Sequence, residues 1–232
     1  MMKMLKSRGA LLACAATLAM SAHVGAATVS VTQADGIWTS ATPGTFVSGV
    51  GTNQITWGAA IDDPKSGYTY TSGAPASAAL GAEFVVGTFT HTNYPITAGT
   101  SITDATLSID WEIDVSNGSI GSFSGTSIFE FDHWETPNGA RPCADNGANG
   151  SGVNANGCAD RVTFSVNETL SDTFFYEGMT YQFVLTGFLL GDDSFATEFW
   201  TPEKAVNRAR LLGTVTAVPI PAAGPLFACV LG

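Results

Sequence analysis

Leu107-Ser108-Ile109-Asp110-Trp111-Glu112-Ile113-Asp114-Val115 alternates apolar and polar residues without a break. Successive side chains of a β-strand point to opposite faces, whereas a helix would need apolar residues three and four apart. Leu107, Ile109, Trp111, Ile113 and Val115 therefore enter a core, and Asp110, Glu112 and Asp114 form a solvated acidic stripe. The same period returns at Val162, Phe164 and Val166, and at Tyr181, Phe183 and Leu185. Further strands are expected over residues 28–33, 54–57, 83–91, 127–134, 173–176 and 207–216. Turn clusters of Gly, Asn, Asp and Pro separate them. The expectation is an all-β fold, a β-sandwich or jelly roll of mainly antiparallel strands, about nine to eleven in number. Thr201-Pro202-Glu203-Lys204-Ala205 is the exception, where Thr as a cap and Pro in the first helical position predict a short helical turn.

The two ends read differently from the middle. Lys3, Lys6 and Arg8 precede an apolar stretch from Gly9 to Met20, and small residues lead to Val24-Gly25-Ala26. This is the pattern of a secretory signal peptide over residues 1–26, cleaved before Ala27. Leu11-Leu12-Ala13-Cys14 brushes against a lipoprotein box, but the apolar run before Cys14 is short. Residues 27–216 then form a single β-sandwich domain. Residues 217–232 are apolar and uncharged but interrupted by Pro219, Pro221 and Pro225, with too few residues after Pro225 for the roughly 20 that span a bilayer.

The 232-residue chain carries 9 Lys and Arg against 20 Asp and Glu, a net charge of −11. Loss of Lys3, Lys6 and Arg8 with the signal peptide leaves −14. Such a surface repels phosphate backbones, so nucleic acid is excluded as a partner. It suits solubility or divalent cations.

Of 4 cysteines, Cys14 falls in the signal peptide and Cys229 in the apolar tail. Cys143 and Cys158 remain, and in an oxidising compartment they are expected to pair. A zinc site lacks further Cys or His at the right spacing. The loop between them holds Asp145, Asn149, Asn154 and, just beyond, Asp160 among glycines. Oxygen-rich side chains on a loop are the donors Ca²⁺ takes, although the order of an EF-hand is missing. Calcium at these four residues and a solvated, disulfide-stapled loop are both open; the chain otherwise calls for no cofactor.

Thr90-His91-Thr92-Asn93-Tyr94-Pro95-Ile96 follows a strand-like run, and Phe131-Asp132-His133-Trp134-Glu135-Thr136-Pro137-Asn138 repeats the mixture of His, Asn and Pro. Pro95 biases Tyr94 towards extended geometry and helps end the strand. Two readings follow. In one, His91, Asn93, Glu135 and Asn138 brace turns by bonding freed backbone groups. In the other, His91, Asn93, His133 and Glu135 meet as a ligand pocket or metal site, which requires the strand to continue through His91 and Asn93.

Together with the spacing to Cys143 and Cys158-Ala159-Asp160, these two motifs resemble the THxN-type choice-of-anchor K domain family of secreted bacterial proteins. The resemblance covers residues 28–216. Val218-Pro219-Ile220-Pro221-Ala222-Ala223 is similar to the start of the PEP-CTERM or VPLPA-type sorting tail seen with that family, without the following helix and Arg cluster. A membrane partner would act only through such a tail. The resemblance implies a secreted or cell-surface domain of uncharacterised activity and supplies no catalytic residues; with the sorting-tail motif, the expectation is a non-enzymatic protein associated with the extracellular polysaccharide matrix.

Two rival functions stand beside it. A carbohydrate-binding module would present exposed tryptophans, from among Trp38, Trp57, Trp134 and Trp200, to sugar rings. A jelly-roll glycosidase would use Glu130 as nucleophile, Asp132 to orient it and Glu135 as acid/base. That chemistry needs carboxylates about 5–5.5 Å apart on one face, and residues five apart on a strand face opposite ways unless a bulge intervenes. No Gly-x-Ser-x-Gly elbow is present. The Asn-x-Ser/Thr matches at Asn117, Asn149 and Asn167 mean little in a bacterial chain.

Overall fold

The computed structural model describes residues 27–61, 64–166 and 170–218. The expected signal peptide, Asn167, and all but the first two residues of the tail lie outside them. Among the described residues, thirteen strands run in order: β1 (Thr28–Thr42), β2 (Gln54–Trp57), β3 (Ser66–Ser72), β4 (Ala76–Ala79), β5 (Phe84–Asn93), β6 (Asp104–Ser116), β7 (Ile120–Trp134), β8 (Asp160–Val166), β9 (Thr173–Tyr176), β10 (Met179–Leu189), β11 (Phe195–Ala196), β12 (Phe199–Thr201) and β13 (Ala205–Ala217). They form two packed sheets. One has the order β12-β8-β7-β6-β1-β4, the other β11-β10-β13-β5-β3-β2 with β9 beside β10. Every pairing is antiparallel. The fold is an all-β sandwich, as the alternation predicts. Among the described residues no helix is long and apolar enough to cross a membrane.

Strand β6 behaves as its sequence dictates: Leu107, Ile109, Trp111, Ile113 and Val115 are buried, and Asp110 and Glu112 are exposed. It lies between β1 and β7, so its apolar face meets the second sheet along its length. Strand β1 runs much further than residues 28–33. Its register shifts between Val31 and Gln33, which resets the alternation, and Asp35-Gly36 then continues the strand. Gly36 is there for packing: a Cβ would stand 2.5 Å from the Tyr70 ring.

The sandwich interior is aromatic. Trp38 of β1 and Phe131 of β7 meet edge to face at 5.2 Å between centroids, Phe131 stacks on Phe89 of β5 at 5.3 Å, and Phe89 packs on Tyr68 of β3 at 4.8 Å. Offset and edge contacts of this kind add to area burial.

Thr201-Pro202-Glu203-Lys204-Ala205 is not a helical turn. It is a tight reversal with Lys204 at φ 56°, carrying the chain from β12 in one sheet directly into β13 in the other. Asn207 fastens it by donating through Nδ2 to Pro202 O at 3.0 Å and His91 O at 3.3 Å. Between β7 and β8 the chain makes a long loop with one 3-10 turn at Gly152–Asn154. A disulfide joins Cys143 to Cys158 within it.

Candidate functional site

At one end of the sandwich the core changes from aromatic to polar. Strand β5 continues through His91 and Asn93, and both face inward with Phe89. Opposite them, Phe129, Phe131 and His133 of β7 face inward, and the His91 and His133 rings meet at 5.3 Å. Asp160 begins β8 and Thr201 ends β12, paired with each other and both fully buried. Glu203 comes from the crossover and Glu135 from the residue after β7. Side chains of two sheets, one loop and one crossover thus share a single interior space.

Hydrogen bonds fix the proton positions. Thr201 Oγ1 donates to Asp160 O at 3.1 Å, so at 2.9 Å it accepts from His91 Nδ1–H. The lone pair of His91 then lies on Nε2, which is buried and without a protein partner. Tyr68 lends its hydroxyl proton to His133 Nδ1 at 2.7 Å, which leaves His133 Nε2–H facing Glu135 Oε2 at 3.4 Å. Ser101 Oγ donates to the same Glu135 oxygen at 3.1 Å. Trp57 stacks on His91 at 5.6 Å and closes the space from the second sheet.

The carboxylates are held in the same manner. Asp160 Oδ1 accepts from the Thr136 amide at 2.7 Å, while Oδ2 has no partner. Asn138, with its amide turned to donate, reaches Glu203 Oε1 at 3.1 Å and Cys158 O at 3.3 Å, and Glu203 Oε2 has no partner. Asn93 Nδ2 donates to Thr201 O at 3.0 Å, and its Oδ1 is buried without a donor. One oxygen from each of Glu135, Asp160 and Glu203 lies within 4.8 Å of the others. His91, His133 and Asp160 make a second such group.

Burial and like charge shape the ionisation. The Asp160 carboxyl is pushed well above the usual range, first by burial and then by Glu135. Glu203 rises to about 7 for the same two reasons in the same order. Burial, then the neighbouring His133, holds His91 well below an ordinary imidazole, so it is neutral.

The cluster opens on a cleft of about 920 Å³. Pro43, Ile61, Pro95, Ile96 and Ile102 give it an apolar wall, and His133, Glu135, Asn138, Asn156 and Lys204 a polar one. Trp134 stands at the cleft with 44% of its surface exposed. The Arg161 guanidinium lies over its ring at 4.8 Å, and Trp200 is 6.4 Å away. Arg161 also meets Glu198, which accepts from Trp200 Nε1 at 2.9 Å. The indole of Trp134 is therefore held in place at the surface. Trp38 and Trp57 are fully buried.

The structure thus brings together His91, Asn93, His133, Glu135 and Asn138, with Pro95 on the cleft wall. His91 and Asn93 bond to Thr201 across the sandwich, while His133 meets Glu135 two residues on and Asn138 donates to the Cys158 carbonyl of its own loop as well as to Glu203. The loop residues divide. Asp145 accepts from Asn154 Nδ2 at 2.9 Å and from the Gly147 amide at 2.9 Å. Asn149 Nδ2 donates to Asn138 O and Ala140 O. Asp160 joins Glu135 and Glu203. The glycosidase pair is also not formed: Glu130 and Asp132 lie on the exposed face of β7, and Glu135 turns towards inward-facing His133. Glu203, Thr201 and Tyr68 are site residues that the sequence reading missed. No protein-family model matches this chain, and a comparison with curated proteins finds no match.

Proposed function

We propose that this protein works outside the cell as a non-catalytic β-sandwich that binds polysaccharide in the cleft beside Trp134. The observation that carries the reading is the cleft itself. An immobilised, 44% exposed indole borders a cavity of about 920 Å³ with carboxylate, amide and ammonium groups on one wall. Indole rings stack on the apolar faces of sugars, and a few placed polar groups orient the hydroxyls. Secretion is supported by the signal-peptide pattern of residues 1–26 and by the Cys143–Cys158 disulfide, a bond favoured in oxidising compartments. The THxN-type resemblance and the sorting-tail motif support a place in an extracellular matrix.

Affinity electrophoresis of the mature protein through gels containing neutral and acidic polysaccharides tests the reading. At least one polysaccharide is expected to retard the protein, and Trp134→Ala to abolish the retardation with an unchanged melting temperature. Equal retardation of the variant, or none by any polysaccharide, contradicts it. The apolar wall of Pro43, Ile61, Pro95 and Ile96 favours a second reading, an amphipathic ligand carrying an acyl chain. Displacement of a fluorescent fatty acid from the cleft without glycan retardation would select that one.

A further inference from the structure

We infer that Glu135, Asp160, Glu203 and Asn93 form a divalent-cation site, selective for Ca²⁺, beneath the cleft. Three carboxylates present oxygens within 4.8 Å of one another, a spacing that oxygens about 2.3–2.6 Å from a shared Ca²⁺ would have. Acidic clusters alone are common on protein surfaces, but this one is mostly interior, and Glu135 is the member that reaches the cleft. Asp160 and Glu203 are fully buried, and each has one oxygen fixed by a protein donor and the other without a partner.

Asn93 supplies an independent indication. It is fully buried, and its Nδ2 is fixed on Thr201 O, so the side chain cannot simply rotate to suit the carboxylates. Its Oδ1 is buried without a donor, while its amide N–H side interacts with both Asp160 and Glu203 in the sense that favours their ionised forms. A buried amide oxygen left without a donor in a carboxylate-rich interior is unfavourable, and a cation held by those carboxylates would give it a partner. Lys204, next in sequence to Glu203, is exposed on the cleft wall and does not fill that role.

Oxygen chemistry selects the ion. The competing group, His91, His133 and Asp160, would suit zinc. Yet His133 accepts from Tyr68 at Nδ1 and turns Nε2–H on Glu135, so it orients a carboxylate ligand and offers no lone pair. Donors that fix one oxygen of each ligand are what a cation site needs around it. The site is independent of the glycan reading and uses none of the loop oxygens of Asp145, Asn149 or Asn154.

Calorimetric titration of the EDTA-treated mature protein with CaCl₂, MgCl₂ and ZnCl₂, without glycan, tests it. A single saturable Ca²⁺ site is expected, with a melting temperature raised by about 5 °C or more at millimolar Ca²⁺. Glu135→Gln, at the partly exposed member, should weaken Ca²⁺ by about tenfold or more and still fold, while Asp145→Ala should leave it unchanged. Silence with Ca²⁺, binding of Zn²⁺ but not Ca²⁺, unaltered affinity in Glu135→Gln, or a loss confined to Asp145→Ala would each overturn the assignment. Because no polysaccharide is present, failure here is separate from failure of the glycan reading.

Discussion

Glu203 shows how one residue can be illegible in a sequence and central in a structure. Its neighbours suggest a helix start, and nothing local says that it will meet Glu135 and Asp160 inside the sandwich. Its ionisation makes a prediction for the chelated protein. A carboxyl whose pKa is raised to about 7 in the fold favours its neutral form there. Its contribution is fully present below the unfolded value and is lost as pH rises through about 7. The titratable groups acting on it are Glu135, Asp160 and Lys204. His91, with a lowered pKa, acts in the opposite sense below its unfolded value of about 6.5. Comparison with Glu203→Gln cancels that term. In EDTA, urea denaturation should show wild type losing stability relative to Glu203→Gln between pH 5 and pH 8; a gain would contradict the buried-carboxylate account. Gly36→Ala is a second single-residue case. Its Cβ would press on Tyr70 at 2.5 Å, so a loss of about 1–3 kcal/mol in urea denaturation is expected. An unchanged midpoint would show that the ring moves freely.

Elements were legible where their alternation stayed in phase. Strand β6, the isolated runs of β2 and β9, and the inward set Val162 and Phe164 follow from period two alone. Strand β1 was cut short because a bulge resets its phase and Asp35-Gly36 imitates a turn. Strand β3 was missed because Ser66-Gly67-Tyr68-Thr69-Tyr70 reads as polar, although Tyr68 and Tyr70 bury their rings. The loop from Glu135 to Ala159 is an element in its own right, tied by Cys143–Cys158 and by Thr136 Oγ1 on the Cys158 and Ala159 carbonyls at 3.2 and 2.9 Å. Replacing both cysteines with serine should cost about 3 kcal/mol in the chain-entropy account. Equilibrium denaturation with and without reductant reads this directly. Because Thr136 also holds Asp160, the same variant should weaken Ca²⁺; intact affinity would mean that the loop does not support the cluster.

At the scale of the whole molecule, the sandwich places its working end where the chain crosses from one sheet to the other. The β12–β13 crossover, the end of β5 and the β7–β8 loop converge there, and only long-range pairing brings them together. That is why the sequence could offer a shared pocket of the motif residues only as one of two readings, and gave no sign of Glu203, Thr201 and Tyr68 in it. The acidic balance of the chain also acts at this scale: added salt should screen self-repulsion without abolishing glycan binding that depends on stacking. Binding lost between 50 mM and 500 mM NaCl, followed by fluorescence, would instead point to surface charge. The most direct measurement is the indole N–H spectrum of the mature protein during addition of a retained oligosaccharide. The Trp134 resonance is expected to shift and saturate while those of buried Trp38 and Trp57 hold still. A Trp134 resonance unmoved at saturation would contradict the account.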